Sequence, residues 1–255
     1  MHDLASKLAS DTDAFEARVR RASESELREI ASGKLNEDHA IALVARRDLP
    51  GPVLESLAKN TTAAKSRPLM IAIVKHPRTP RHVSLPVVRH LYTFELMQVA
   101  LTPETPADVR LFTEEQIANR LSTLSSGERL TLAKRASTRV AAALLLDPEK
   151  RVTQAAMENP RLTEMWVVKA VMNDDAPEHF VAAISRHHKW SVRREVQIAL
   201  LRNDKTPFAR VLHFVSALPT QVLKDVLANT RLSANVKMYL MQVLEQRKGK
   251  SSATG

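Results

Sequence analysis

The apolar positions of this chain recur at the spacing of one helix face. In the segment VRREVQIALL, for example, Val192, Val196 and Ala199 lie four and three residues apart. This spacing is the period of an amphipathic α-helix that buries one side. The pattern therefore predicts a chain of short helices, each with one apolar face that needs a neighbour.

A short turn sequence recurs between these apolar runs. It reads HPRTP at 76–80, TPETP at 102–106, NPRLT at 159–163, NDKTP at 203–207 and NTRLS at 229–233. In each turn we expect the Thr or Ser to N-cap the next helix and a Pro, where present, to take the first helical position. The first residues of the turns are separated by 26, 57, 44 and 26 positions; 57 is close to two units, and 44 holds one inserted helix. Such periods predict an all-α fold, an α-solenoid of stacked helical hairpins.

Composition supports helices over sheets and excludes several kinds of chemistry. Only Gly33, Gly51 and Gly127 lie within the body of the chain, fewer than tight turns between strands need. The absence of cysteine excludes disulfides, thiolate zinc sites, iron–sulfur ligation and cysteine nucleophiles. The amino terminus lacks the apolar segment of a secretion signal, and the longest apolar run, Val140–Leu146, is too short to cross a bilayer. We expect a cytoplasmic protein without a transmembrane segment.

The chain divides into three parts by repeat quality. Residues 1–67 are helical but weakly repetitive, which predicts an N-terminal capping region. Asp13, Ser23 or Ser25, and Asn36 are the expected N-caps there, and Gly33 is an expected helix stop. Residues 68–245 form the predicted solenoid. Residues 246–255 lack apolar side chains and are expected to be a disordered tail.

Two groups of residues resemble known helical repeats. The residues Asp108, Val109 and Arg110, and more fully Val192, Arg193, Ala199 and Leu200, are similar to the second helix of a HEAT repeat. The turns NPRLT, HPRTP and NDKTP resemble those of the leucine-rich repeat variant, a bacterial α-solenoid. The resemblance covers about residues 69–245 and implies a curved helical stack that binds another macromolecule. An iron–sulfur cluster is associated with the variant family, but this chain has no cysteine to hold one.

Positive charge is concentrated in the predicted repeats. Basic and acidic residues balance at 11 each through Arg67, whereas 27 basic residues face 17 acidic ones from Pro68 onward. Such a field attracts phosphates, acidic protein surfaces or anionic lipids without distinguishing among them.

One basic cluster surrounds a tryptophan and is a candidate binding patch. It consists of Arg186, Lys189, Trp190, Arg193 and Arg194. As a functional patch it would bind phosphates and stack a base on the indole. The alternative is that Trp190 and Val192 pack in the core and the basic side chains are solvated.

The third position of the turn sequence is a second candidate. It is basic in four of the five turns, as Arg78, Arg161, Lys205 and Arg231, and acidic at Glu104. If equivalent turns line up along one edge, these cations form a basic ridge. The alternative is that each one complements a helix dipole locally.

No motif for catalysis or for a cofactor is present. The sequence has no HExxH, GxSxG or phosphate-loop pattern. We expect the rings of His187 and His188 to point to different sides of a helix or into a loop, and since neither is a usual ligand pair, no metal site is predicted. HEAT-like alkylpurine DNA glycosylases are a minor alternative, with Trp166 and Trp190 and either Asp174 or Asp175 in the groove. The leading expectation is a non-enzymatic module that binds a protein partner; the alternative is a nucleic-acid-binding repeat protein.

Overall fold

The computed structural model describes residues 13–60, 65–228 and 232–252, and this part of the chain holds α-helices and no strand. The chain forms two compact units, which meet in sequence at Ser122 and Thr123. The helices of the first unit are α1 (13–21), α2 (Glu24–Ser32), α3 (Glu37–Val44), α4 (Gly51–Lys59), α5 (Arg67–Lys75), α6 (Arg81–His90), α7 (Thr93–Leu101) and α8 (Ala107–Arg120), followed by a 3₁₀ turn at Leu121–Thr123. Those of the second unit are α9 (Ser126–Arg135), α10 (Thr138–Leu144), α11 (Lys150–Met157), α12 (Glu164–Val171), α13 (Glu178–Ile184), α14 (Arg194–Arg202), α15 (Phe208–Ala217), α16 (Thr220–Leu227) and α17 (Ala234–Ser252).

Within each unit, most of the helices pack on a helix two places away along the chain. In the first unit α2 contacts α4, α3 contacts α5, α5 contacts α7, and α6 contacts α8. In the second unit α9, α11 and α13 form one row, α10, α12, α14 and α16 form another, and α15 contacts α17. The apolar faces meet between the rows, with Phe180, Phe214 and Trp190 as the largest buried side chains of the second unit. The predicted all-α class is confirmed.

The helix boundaries follow local side-chain chemistry. Ser23 accepts a hydrogen bond from the Glu26 amide, and the Glu26 carboxylate accepts one from the Ser23 amide at 2.7 Å. Asn36 accepts from the His39 amide at 2.7 Å, and Gly33 ends α2. These reciprocal bonds satisfy amides that a helix start leaves unpaired. The caps predicted at Ser23 and Asn36 and the predicted stop at Gly33 are confirmed, whereas the cap predicted at Asp13 is wrong because Asp13 already lies within α1.

Thr163 occupies the predicted N-cap position of α12, although its side chain makes no capping bond. In the turns that end in proline the threonines have a different role from the predicted one. The N-cap residues of α6, α8 and α15 are the prolines Pro80, Pro106 and Pro207. The preceding threonines donate backwards, to carbonyls at the end of the previous helix: Thr79 to Ile73 at 2.5 Å, Thr105 to Val99 at 3.1 Å and Thr206 to Leu200 at 2.6 Å. Each of these carbonyls also accepts the amide of the residue that ends its helix, so the buried threonine hydroxyl adds a second hydrogen bond to the carbonyl and finds its own partner there.

Two further expectations differ from the structure. Val192 lies outside α14 and is 70% exposed, because that helix begins only at Arg194. Residues 246–252, which were expected to belong to a tail, are part of α17, and residues 253–255 lie outside the described part of the chain. Arg247 anchors this end by donating to the carbonyls of Leu218 at 2.8 Å and Val215 at 2.9 Å. The last turns of α17 are therefore held by hydrogen bonds from a charged side chain, although they have no apolar residues to bury.

The division into compact units is distinct from the expected division into a capping region and repeats, which stays a prediction. The sequence pattern placed a boundary between residues 67 and 68, whereas the two compact units divide after Ser122. Among the described residues, no helix combines the length and the apolar content that crossing a membrane requires.

Candidate functional site

Six of the turns between helices share one hydrogen-bond arrangement. The first residue of the turn accepts a hydrogen bond from the amide of the third residue. This bond joins His76 to Arg78 (3.2 Å), Asp147 to Glu149 (2.9 Å), Asn159 to Arg161 (2.8 Å), Asn173 to Asp175 (2.8 Å), His187 to Lys189 (3.2 Å) and Asn203 to Lys205 (2.9 Å). Asp, Asn and the imidazole Nδ1 all offer the acceptor that such a turn needs. The turns at 147, 173 and 187 were not recognised in the sequence because their letters differ from the pentapeptide.

The first residue of a turn also reaches back to an earlier turn. Asn159 donates from Nδ2 to the Ala133 carbonyl at 2.8 Å, and Asn203 donates to the Val171 carbonyl at 2.6 Å. His76 does the same through Nε2, which lies 3.0 Å from the Arg46 carbonyl oxygen. These partners are 26 to 32 positions apart in sequence, so each bond ties one hairpin to the hairpin before it.

The cations of the proposed turn ridge are occupied by the same kind of contact. Arg78 donates to the Asp48 carbonyl at 2.8 Å, Arg161 to the Arg135 carbonyl at 3.3 Å, and Lys205 to the carbonyls of Asp174 at 3.1 Å and Ala176 at 2.7 Å. A cation at the end of a helix complements the negative end of its dipole. Here the helix end belongs to an earlier hairpin. Arg231 lies outside the described residues.

Within the second unit the turn bonds fall into two separate series. One series joins residues 133–136, 157–161 and 187–190, and the other joins 171–176 with 203–205. Three helices, α12 to α14, separate Arg161 from Lys205. Because successive helices run in opposite directions, the chain crosses from one end of the hairpins to the other with each helix. After three helices the turn with Lys205 is therefore at the opposite end from the turn with Arg161. Arg161 and Lys205 therefore do not lie on one ridge.

The structure separates the members of the predicted basic patch. Trp190 is 2% exposed, and its Nε1 donates to the Met157 carbonyl at 2.9 Å. Lys189 covers the ring, with Nζ 4.3 Å from its centroid. Arg193 lies 3.5 Å from a Glu164 carboxylate oxygen. No face of the indole is open for a stacked base.

The other two members of the patch are exposed arginines. Arg186 and Arg194 both lie on the surface, and neither forms an ion pair with a residue in the described part of the chain. They flank the turn that carries Trp190, one on each side. These two guanidinium groups are therefore the part of the predicted patch that is open to a ligand.

Glu158, His187 and His188 form a compact group of potential metal ligands. The two residues lie in the loop between α13 and α14, which is one of the two placements expected, and their imidazoles are stacked with centroids 4.6 Å apart. His187 Nδ1 accepts from the Lys189 amide, which leaves Nε2 as the donor to Glu158 Oε1 at 3.0 Å. A metal-binding histidine instead donates through its second nitrogen. The hydrogen bonds of His187 therefore fit a structural link between turns better than a metal ligand.

Burial controls the protonation of two turn histidines. Desolvation is the largest effect and lowers the pKa of His187, while the neighbouring Glu158 carboxylate opposes it. Desolvation likewise lowers the pKa of His76, against its hydrogen bond to Arg46. Both rings are neutral at physiological pH, as the accepting Nδ1 requires.

The residues considered for a glycosylase are not arranged as a base-binding groove. Trp190 is buried, as described above. Trp166 is partly exposed, with Lys169 Nζ 5.0 Å from its ring centroid. Asp174 and Asp175 are exposed in the turn between α12 and α13. The only indole that a base could reach in this set is Trp166.

An apolar groove lies between α15 and α17, and the sequence reasoning missed it. Phe208 and Tyr239 meet edge to face with ring centroids 5.9 Å apart. Met238 beside them is 65% exposed and Phe208 is 48% exposed. The groove has a volume of about 370 Å³, and the amides of Asn235 and Gln242 complete its lining. The signal that could have found it is the run MYLM at 238–241, which is too apolar for a helix with one buried side.

Comparison with known proteins identifies no relative: no protein-family model, no curated protein and no solved structure matches this chain.

Proposed function

We propose that this chain is a non-enzymatic α-helical repeat protein whose hairpins stack as an α-solenoid and which binds a protein partner. The contacts between alternate helices and the hydrogen bonds between successive turns support the solenoid, and so does the resemblance to HEAT-like and leucine-rich-repeat-variant repeats. In such a stack each unit buries its apolar face against the next one.

The observation that carries the binding proposal is the groove of α15 and α17. Monomeric proteins seldom expose several large apolar side chains together, and such patches commonly mark interaction sites. Aromatic and methionine side chains dominate interface cores, and methionine adapts to varied shapes. The edge-to-face pair of Phe208 and Tyr239 gives this groove a rigid wall, while Met238 gives it an adaptable one.

The groove fits a segment that presents an apolar side chain from a partner protein. Its apolar wall would take that side chain, and the amides of Asn235 and Gln242 are placed to bond the backbone beside it. Lys237, exposed next to Met238, favours a partner with acidic residues around the apolar one.

The test compares two exposed methionines. Tagged wild-type protein, Met238→Glu and Met165→Glu are used to capture partners from the native cell, and the captured protein is then purified for calorimetry. Met165 on α12 is 68% exposed against 65% for Met238, so the two variants change the same chemistry at similar exposure. We expect M238E to weaken binding by at least about tenfold, because it places a charge in the interface core, and M165E to bind as wild type. Equal affinity for all three proteins would refute the proposed groove.

A further inference from the structure

Helices α9, α11 and α13 form one row of the second unit, and their exposed surface is basic. Five exposed cations lie on this row or directly after it: Lys134, Arg135, Lys150, Arg151 and Arg186. None of the five forms an ion pair within the described part of the chain. The exposed acids are Glu158, which is bonded to His187, and Glu178. Glu128 and Glu149 are only partly exposed, and Glu149 lies 3.6 Å from Arg129, so positive charge is in excess on the surface of this row.

A groove of about 240 Å³ lies between α11 and α13 at the centre of this surface. Lys150 and Arg186 line it, and the groove is open because Ala182 and Ala183 have small side chains. The buried Thr153 hydroxyl and His179 Nε2, 3.2 Å apart, share the Asp147 carbonyl and hold the two helices at one end. No carboxylate lines the groove, so nothing within it neutralises the two cations.

The chemistry of this surface fits a repeating anion. Neighbouring helices in a packed row lie about 8–10 Å apart, so the cations extend over a distance that covers several phosphates of a nucleic-acid strand. Arginine binds phosphate through paired donors and lysine as a point charge. Within the three helices the rings are those of His179 and the buried Phe180, and the exposed His188 beyond Arg186 is already stacked on His187, so no Trp, Tyr or exposed Phe is placed to stack a base.

We propose that the row formed by α9, α11 and α13 binds the phosphodiester backbone of a nucleic acid, with Lys150 and Arg186 as the central contacts. Contacts to the backbone alone carry no base information, so binding is independent of sequence. This surface is separate from the groove of α15 and α17 and does not depend on the protein-partner proposal. It shares only Arg186 with the basic patch expected from the sequence.

The test measures binding of the full chain to labelled 20-nucleotide RNA and to a DNA duplex of the same length, between 50 and 200 mM salt. Two double variants remove the same charge: K150A/R186A from the groove, and K169A/K224A from exposed positions on α12 and α16. We expect wild-type affinity to fall steeply with salt. For K150A/R186A we expect the slope of log K against log salt to decrease by about two, one for each lost phosphate contact. K169A/K224A should retain the wild-type slope and affinity.

The arms of the experiment separate the possible outcomes. Binding of RNA but not duplex, or the reverse, identifies the nucleic acid within the proposal. Equal losses in both double variants would show attraction to net charge alone and would overturn it. Poly-glutamate bound as tightly as RNA, with the same dependence on Lys150 and Arg186, would assign the surface to an acidic protein instead. Circular dichroism melting of each variant confirms that it is folded.

Discussion

The buried side chain of Asn159 donates to the Ala133 carbonyl, 2.8 Å away and 26 positions earlier in the chain. Its other end accepts from the Arg161 amide at 2.8 Å, so one amide group closes its own turn and ties it to an earlier one. No apolar contact could replace both bonds. The amide therefore fixes how two hairpins sit against each other.

We predict that Asn159→Ala destabilises the protein by about 2–3 kcal/mol, because it leaves buried backbone groups without partners. The measurement is urea denaturation followed by circular dichroism. The matched control is Asn173→Ala, since exposed Asn173 closes its turn by bonding the Asp175 amide at 2.8 Å. That variant should lose only about 0.5–1 kcal/mol. Similar losses in both variants would mean that the bond to the earlier hairpin contributes little.

The sequence predicted the helical class and several helix ends because these depend on local chemistry. Ser23, Gly33 and Asn36 act on amides and carbonyls within one turn of themselves, so their role is visible in a short window. The carbonyls to which Lys205 donates are not local, because they lie 29 and 31 positions earlier in the chain. It depends on which turns are neighbours, and the helix inserted between the turns at 159 and 203 reverses the end at which the second turn lies.

Recognition of the turns failed for a related reason. The pattern was defined by residue identity, whereas these turns need only a side-chain hydrogen-bond acceptor at the first position. Asp147, Asn173 and His187 all supply it with different neighbours. The apolar groove was missed because its members come from α15 and α17, which the sequence does not place side by side.

A second prediction concerns the burial of Trp190. In the variant Trp166→Phe, Trp190 is the only emitting indole, because the chain has two tryptophans. We expect blue-shifted fluorescence that acrylamide quenches weakly, since the side chain is 2% exposed. Saturating RNA should leave this emission unchanged, because no base can reach the ring.

The reciprocal variant provides the control for that experiment. Trp190→Phe leaves only Trp166, which is partly exposed and should be quenched more strongly by acrylamide. Loss of the bond to Met157 should also cost about 1–3 kcal/mol of stability. Strong quenching of Trp190 by RNA would show that a base stacks on it and that the ring is accessible in the complex.

A third prediction follows from the lowered pKa values of His76 and His187, both caused mainly by burial. In the unfolded chain the two imidazoles have a pKa near the ordinary value of 6.5, whereas in the folded chain their pKa is lower, so the unfolded chain binds more protons below pH 6.5. The stability contributed by the neutral rings is therefore complete above pH 6.5 and is lost as the pH falls below it. Protonation would also remove the Nδ1 acceptor from each turn. We expect the melting temperature to decrease between pH 7 and pH 5.

The double variant His76→Asn, His187→Asn tests this origin. Asn occupies the same turn position at 159 and 203, where it accepts and donates the equivalent bonds without titrating. We expect the variant to fold and to lose much of the wild-type pH dependence in this range. An unchanged pH profile would place the sensitivity in other groups.

A final prediction separates a structural lysine from a solvated one. Lys205→Met keeps the aliphatic stem but removes the donor to the carbonyls of Asp174 and Ala176. We expect a loss of about 1 kcal/mol, the usual net contribution of such a bond, with RNA affinity close to that of the wild type. The control, Lys237→Met, removes the same charge at an exposed site on α17 and should leave stability unchanged. If K205M weakened RNA binding strongly without changing stability, the lysine would be part of a ligand surface and not a link between hairpins.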